Sequence, residues 1–294
     1  MADEASVHVL PVPGARLRYE VRGDGPPLLM IGSPMGSRGF AMIAPLLAEE
    51  YTVVTYDPRG ILNSPLADPT EPADPDLLAD DVALIAAELD RGPAYVFGNS
   101  GGGVTGLAML TRHPQTVRAL VVHEPPLVEL LPDRDAVRAA IDEVCQTYDE
   151  AGREAALRKY TALTGIRFGG PAPAAPAAAA AQAPASAPAP APAPAPASYS
   201  PPADVRAILD RFFRYILPPT TRYRPDLDAV RATGTPVIVA GGADSPGQLF
   251  HRTALALAEE LGTDLLAFPD GHIGFQQQPE PFARLLAKAF AEAR

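Results

Sequence analysis

Six short apolar runs constrain this chain more than any other feature: PPLLMIG (26–32), YTVVTYD (51–57), AYVFG (94–98), ALVVH (119–123), PVIVAGG (236–242) and DLLAFPD (264–270). Continuous apolar runs of this length, rich in β-branched and aromatic residues and halted by Gly, Pro or Asp, suit strands buried on both faces. A further stretch, LRYEV (17–21), alternates like a half-buried strand. Helical spacing fills the intervals at 77–91, 103–112, 248–261 and 280–293. Strand and helix in alternation imply βαβ units with right-handed crossovers. The expected fold is therefore α/β, a mostly parallel central sheet flanked by helices.

One interval breaks the rhythm. Between Pro125 and Arg231 no strong strand pattern occurs. Val137, Ile141, Val144, Cys145 and Tyr148 recur at helical spacing within 133–152. Val205, Ile208, Leu209, Phe212, Phe213 and Ile216 form a stripe within 202–218. This predicts a helical cap (125–231) inserted between a first core part (1–124) and a second (232–294). Inside the cap, 171–202 is Ala/Pro low complexity. Repeated proline removes amide donors and favours an extended chain with little to bury, so a solvated linker is expected there.

The stretch VFGNSGGGVTGLAML (96–110) places one hydroxyl among glycines, between a strand and a helix. Two chemistries compete for it. Gly101, Gly103 and Gly106 match the dinucleotide fingerprint G-x-G-x-x-G, with Glu124 near the position of a ribose-binding acid. That fingerprint begins as the strand ends and sits in the first βαβ unit, whereas here Asn99 and Ser100 intervene and earlier strands precede. Gly98-Asn99-Ser100-Gly101-Gly102 is also G-x-S-x-G, the pattern of a nucleophile on a sharp turn, with glycine where close packing excludes side chains. Such a serine needs a base and an orienting acid. PVIVAGGADSP delivers Asp244 at the end of one strand, and LLAFPDGHIGF delivers His272 at the end of the next.

Nucleophile, acid, base in the order Ser100, Asp244, His272 resembles the α/β-hydrolase superfamily, most closely its cofactor-free serine esterase, haloperoxidase-like and lactonase-like members. The resemblance covers 17–124 and 232–294 and is loose through the cap. It implies an α/β-hydrolase fold with an inserted helical cap and a catalytic triad of Ser100, Asp244 and His272. It also allows the acid to come from the neighbouring strand, which makes Glu124 the rival to Asp244. LLMIGSPMGSRGF resembles the family's H-G-x-P loop with Ile31 in place of histidine. By that carry-over the backbone amides of Ser33 and Gly101 form the oxyanion hole. YDPRGILNSP (56–65) resembles the family's D-x-R-G-x-G-x-S turn, which gives Asp57 and Arg59 structural roles.

The implied function is a serine hydrolase that cleaves an ester or related acyl bond of a small hydrophobic substrate through an acyl-enzyme. The same triad could serve perhydrolysis, lactone opening or C–C bond hydrolysis, and the fold could bind a ligand without chemistry. A net charge of -11 argues against nonspecific nucleic-acid binding. Cys145 is the single cysteine, so no internal disulfide forms. The acidic start MADEASVHVL is unlike a signal peptide, and no apolar run reaches the length of a membrane span. A cytoplasmic protein acting on a small molecule is expected, with no cofactor and, lacking a His/Cys/Asp cluster at metal spacing, no metal.

Overall fold

An eight-stranded sheet in the order β1-β2-β4-β3-β5-β6-β7-β8 forms the centre of the computed structural model, which describes residues 5–166 and 203–293. The Ala/Pro segment expected at 171–202 lies outside the described residues. The strands are β1 (Ser6–Val12), β2 (Ala15–Arg22), β3 (Pro27–Ser33), β4 (Thr52–Tyr56), β5 (Ala94–Ser100), β6 (Val117–His123), β7 (Val237–Gly242) and β8 (Leu266–Phe268). The β1/β2 and β2/β4 pairs are antiparallel, and every later pair is parallel. The helices are α1 (Ala44–Leu47), α2 (Pro75–Leu89), α3 (Gly101–Arg112), α4 (Arg134–Thr164), α5 (Ala203–Arg211), α6 (Leu217–Thr221), α7 (Leu227–Ala232), α8 (Leu249–Leu261), α9 (Gly274–Gln277) and α10 (Pro279–Glu292).

The apolar runs become strands because both of their faces are covered. Leu28, Met30, Tyr95 and Phe97 pack on the side of α1 and α10, among Phe282, Leu286 and Phe290. Their neighbours Leu29, Ile31 and Val96 point the other way, against Val82 of α2, Leu107 of α3 and Leu257 of α8. Alternate residues thus feed two separate cores, as the period-two pleat requires. The β1 strand was absent from the sequence reading. It lies at the sheet edge with Val7 and Val9 more than half exposed, so it lacks the apolar run that marks the others.

Between β6 and β7 the described residues are helical. The α4 helix kinks at Gly152, whose φ of +80° is outside the helical region. A π-helical turn, Phe212–Ile216, joins α5 to α6. This segment builds a third apolar cluster, in which Tyr160, Phe212 and Phe213 meet Ile61, Leu78 and Phe250. Full burial of one such aromatic stabilises by roughly 1.5–3 kcal/mol. The exposed Arg38–Asp204 ion pair (2.6 Å) adds at most about 1 kcal/mol. Apolar packing therefore holds the segment on the sheet. Buried Arg211 supplements it by donating to the carbonyls of Pro69 (2.9 Å) and Glu71 (2.8 Å).

Candidate active site

The β5 strand runs directly into α3, and Ser100 is the residue at the turn, with φ +56° and ψ −127°. A non-glycine residue there carries strain on the order of 1–3 kcal/mol, which the surrounding packing must hold in place. The glycines explain how the turn closes. A β-carbon on Gly98 would come within 2.5 Å of the Gly102 carbonyl oxygen, and one on Gly102 would overlap the carbonyl of Ile31 on β3. The backbone of the turn thus lies flush against itself and against the next strand, and the Ser100 side chain is left to project. The first amides of α3, which lack partners within the helix, begin at Gly101 beneath it.

His272 lies on the loop that follows β8. Its Nδ1 is 2.7 Å from Oε2 of Glu124, the residue after β6. Both side chains are buried, His272 to 7% exposure and Glu124 to 1%. The second oxygen, Oε1, accepts the backbone N–H of Gly242 at 2.9 Å. Burial alone would raise the Glu124 pKa. The His272 hydrogen bond and charge, with His123 and the Gly242 amide, outweigh it and lower the carboxyl from 4.5 to about 2. Glu124 is therefore a fixed anion whose one oxygen is held by backbone and whose other orients the imidazole.

The acid expected at Asp244 is corrected by this geometry. Asp244 is exposed on the turn after β7; its amide donates to the Asp270 carbonyl (2.9 Å) and its own carbonyl accepts from Gln248 (3.2 Å). It borders a recess that Asp270, Gly271 and His272 of the loop also line. The reason lies in Gly242. A β-carbon there would come within 2.6 Å of the Asp270 carbonyl and of the Gly271 α-carbon. With no side chain at that point, the His272 loop folds back across the end of β7. It thereby reaches Glu124 on the far side of that strand instead of Asp244 at its tip.

Ser33, the last residue of β3, pairs in register with Ser100. A β-carbon on Gly101 would sit 3.1 Å from the Ser33 β-carbon, so the two residues whose amides the resemblance assigned to an oxyanion are neighbours. The loop beyond Ser33 is pinned from below. The buried Asp57 carboxylate accepts the amide and hydroxyl of Ser37, both at 2.9 Å, and its other oxygen accepts from Asn63. Buried Arg59 closes on Asp81 (2.6 Å) and Glu71 (2.9 Å).

Ser33, Ser100 and His272 share the wall of a cavity of about 340 Å³. The rest of the lining is mostly apolar, among it Met35, Leu157, Ile208, Leu209 and Phe212, with Arg38, Asn99 and Gln276 as polar members. The stripe on 202–218 thus turns one edge inward to the cavity. Among the described residues, four of the five non-glycine residues with positive φ flank this region: Leu62, Ser100, Glu124 and Asp270. Sequence reading also missed a buried pair beneath the turn. His123 Nδ1 lies 2.8 Å from Asn99 Oδ1, so that nitrogen carries the proton, and its Nε2 has no partner among the described residues. Burial above all, against the raising pull of Glu124 and with a smaller contribution from His272 and His251, lowers the His123 pKa from 6.5 to about 4. Its only signal in the sequence was a histidine ending an apolar strand. Among the described residues no group of three or more His, Cys, Asp or Glu side chains is placed to hold a metal, and no helix is long and apolar enough to cross a membrane.

Residues 26–164 match the family model described as alpha/beta hydrolase fold. An uncharacterized hydrolase of Bacillus subtilis (strain 168), YraK, is 30% identical over 282 residues, covering 94% of this chain and 93% of that protein. Among solved structures, the N-acyl homoserine lactonase AidH superposes with a TM-score of 0.64 at 22% identity, covering 99% of this chain and 98% of that one. A thermophilic esterase from Thermogutta terrifontis gives a TM-score of 0.64 at 16% identity over 99% of both chains.

Proposed function

The chain belongs to the α/β-hydrolase superfamily, and we propose that it is a serine hydrolase cleaving an ester of a small apolar substrate through Ser100, His272 and Glu124. The observation that carries this is the 2.7 Å contact between His272 Nδ1 and Glu124 Oε2, in a cavity wall shared with Ser100 on its strained turn. A carboxylate on Nδ1 holds the proton there and leaves Nε2 as the base. His272 then takes the Ser100 proton as the oxygen attacks the acyl carbon. Glu124 stabilises the imidazolium that forms. The amides of Ser33 and Gly101 receive the oxyanion, each worth about 3 kcal/mol in comparable sites. His272 returns the proton to the leaving alcohol, and water repeats the sequence to free the acid.

The nucleophile itself favours acyl chemistry. A serine oxygen that opened an epoxide or displaced a halide would be left as an ether on the enzyme, which the same machinery cannot hydrolyse. An acyl-serine is hydrolysable, so only acyl transfer turns over. A non-catalytic binding site would need neither a strained serine nor a buried carboxylate aligned on a histidine beside it. The helical segment between β6 and β7 serves as the cap of the pocket.

The test is a fluorophosphonate probe read by intact mass on the native protein and on Ser100→Ala, followed by aryl ester turnover. One adduct, lost with the turnover in Ser100→Ala, is expected. A folded native protein without adduct, or an adduct that survives the substitution, refutes the proposal.

A further inference from the structure

The buried pair beneath the serine turn, Asn99 and His123, has no part in the acyl transfer described above. Asn99 stands one residue before Ser100 on β5, and His123 lies beside it in register at the end of β6. Asn99 is 3% exposed and His123 not at all. Asn99 nonetheless lines the 340 Å³ cavity together with Ser100 and His272, whereas His123 does not.

Hydrogen bonding decides which end of the carboxamide meets the cavity. Burial keeps His123 neutral at ordinary pH, so its ring carries one proton, and Nδ1–H donates that proton to Asn99 Oδ1 at 2.8 Å. Phe97, Phe268 and Phe282 surround the imidazole at centroid distances of 5.6 to 6.3 Å and hold it against turning. With the oxygen taken, the NH2 is the free end. No group among the described residues accepts from it, and it is not one of the fully enclosed polar atoms without a partner. It therefore opens on the cavity that Asn99 lines. Gln276, the other carboxamide in the lining, differs: its NH2 donates to the Gly39 carbonyl and approaches the Met35 sulfur, both at 3.1 Å.

An amide donor without a partner in a mostly apolar lining costs stability unless something in the cavity accepts from it. Asn99 and Ser100 are consecutive, with α-carbons about 3.8 Å apart. A substrate whose acyl carbon rests on Ser100 Oγ therefore meets the Asn99 amide with an atom only a few bonds from that carbon.

We propose that Asn99, aimed by His123, is a specificity residue that donates to a second oxygen of the substrate, an ether, hydroxyl or carbonyl oxygen a few bonds from the scissile acyl carbon. The proposal rests on the serine-hydrolase reading above and narrows its substrate class to esters with such an acceptor on an otherwise apolar body. The donor discriminates against hydrocarbon analogues, which leave it unpaired. His123 is a positioning residue that acts only by holding Asn99 Oδ1.

The test compares isosteric esters that differ by an oxygen in place of a CH2: phenyl methoxyacetate against phenyl butyrate, and 2-methoxyethyl acetate against butyl acetate. The oxygen also activates an ester intrinsically, so the oxygenated-to-hydrocarbon ratio of kcat/KM is read in each variant relative to the native chain. In Asn99→Leu the ratio of at least one pair should fall about tenfold, the size of one lost hydrogen bond. Asn99→Asp keeps the volume and the His123 contact but removes the donor, and should lower the same ratio. His123→Phe should lower it too, and should add nothing in the double variant with Asn99→Leu. A merely structural role would slow both esters of a pair alike and leave the ratio in place. These ratios do not depend on how much of a variant folds. Ratios that stay native in both pairs for the Asn99 variants, or for His123→Phe, overturn the inference and leave the hydrolase reading intact. So does a Ser100 that takes the fluorophosphonate adduct while no ester of either pair is cleaved. If no ester is cleaved and Ser100 takes no adduct, the hydrolase reading fails and this inference falls with it.

Discussion

Exchanging Glu124 for glutamine changes one atom and should invert the imidazole. The Gly242 amide is a donor fixed by the backbone at the end of β7, 2.9 Å from Oε1. In Glu124→Gln the carboxamide must keep its oxygen on that donor, which turns its NH2 toward His272. That group donates to Nδ1, so the proton on the ring moves to Nε2 and the base is lost. A wrong tautomer of this kind lowers kcat about 10⁴-fold in a comparable triad. The native carboxyl, held well below its usual pKa by His272, His123 and the Gly242 amide, stays an anion that can only accept, which keeps the ring proton on Nδ1. Its linkage has a defined sign. The folded pKa is depressed, so the stabilisation is complete above about pH 4.5 and is lost as pH falls toward about 2. The assay is kcat on an aryl acetate at neutral pH, with thermal melts from pH 7 to pH 2, on Glu124→Gln and Asp244→Asn side by side. Glu124→Gln should lose kcat by the factor above and flatten the acid limb of the melt. Asp244→Asn, on an exposed turn, should stay within about threefold, as surface changes of about 0.5 kcal/mol do. If Asp244→Asn is the variant that loses activity while Glu124→Gln keeps it, the assignment of the acid is wrong.

Three further outcomes follow from the same geometry. Ser100→Gly should be about 1 kcal/mol more stable than Ser100→Ala by denaturant melts, because glycine relieves the φ of +56° that alanine retains; equal stabilities would show that the turn is unstrained. Gly102→Ala should fail to accumulate as folded protein, since its methyl overlaps the Ile31 carbonyl, and a normal melting temperature would contradict the close approach of β3 and α3. His123, lowered by burial from 6.5 to about 4, is neutral in the folded protein while the unfolded chain gains a proton below about pH 6.5. Native stability should therefore decline from pH 6.5 to 4, before Glu124 titrates, and His123→Phe should remove that upper part of the decline in urea melts.

The central sheet was legible because its strands are buried on both faces and leave unmistakable apolar runs. The expected runs at 26–32, 51–57, 94–98, 119–123, 236–242 and 264–270 correspond to β3 through β8 in order, with ends differing by a residue or two. The β1 strand has one wet face and left no such trace. The serine turn was equally legible, since only an abrupt junction of strand and helix needs glycine at both Gly98 and Gly102. The acid was not, because the route of the His272 loop depends on what Gly242 lacks. Counting along the chain puts Asp244 at the tip of β7, one strand before His272, as the order of residues suggests. Only the loop folding back over a bare glycine brings Glu124 within reach, although its place just after an apolar strand marked it as a rival.

Ser100, Glu124 and Asp270 share one cause for their left-handed backbones. Each stands where a parallel strand ends and the chain must turn at once toward a helix or across a neighbour. A longer loop would relax the backbone but would carry the side chain away from the strand end, and the site would lose its geometry. Short turns keep Glu124 in hydrogen-bonding reach of His272, and keep His272 and Ser100 in one cavity wall. The strain of roughly 1–3 kcal/mol at each residue is offset by packing beneath it. Phe97 of β5, Phe268 of β8 and Phe282 of α10 are fully buried and pack together beside His123, and each contributes about as much as one strained turn costs. Loosening that aromatic layer should therefore reach the chemistry before it reaches the fold, because the turns relax at a smaller loss of packing than the sheet needs to open.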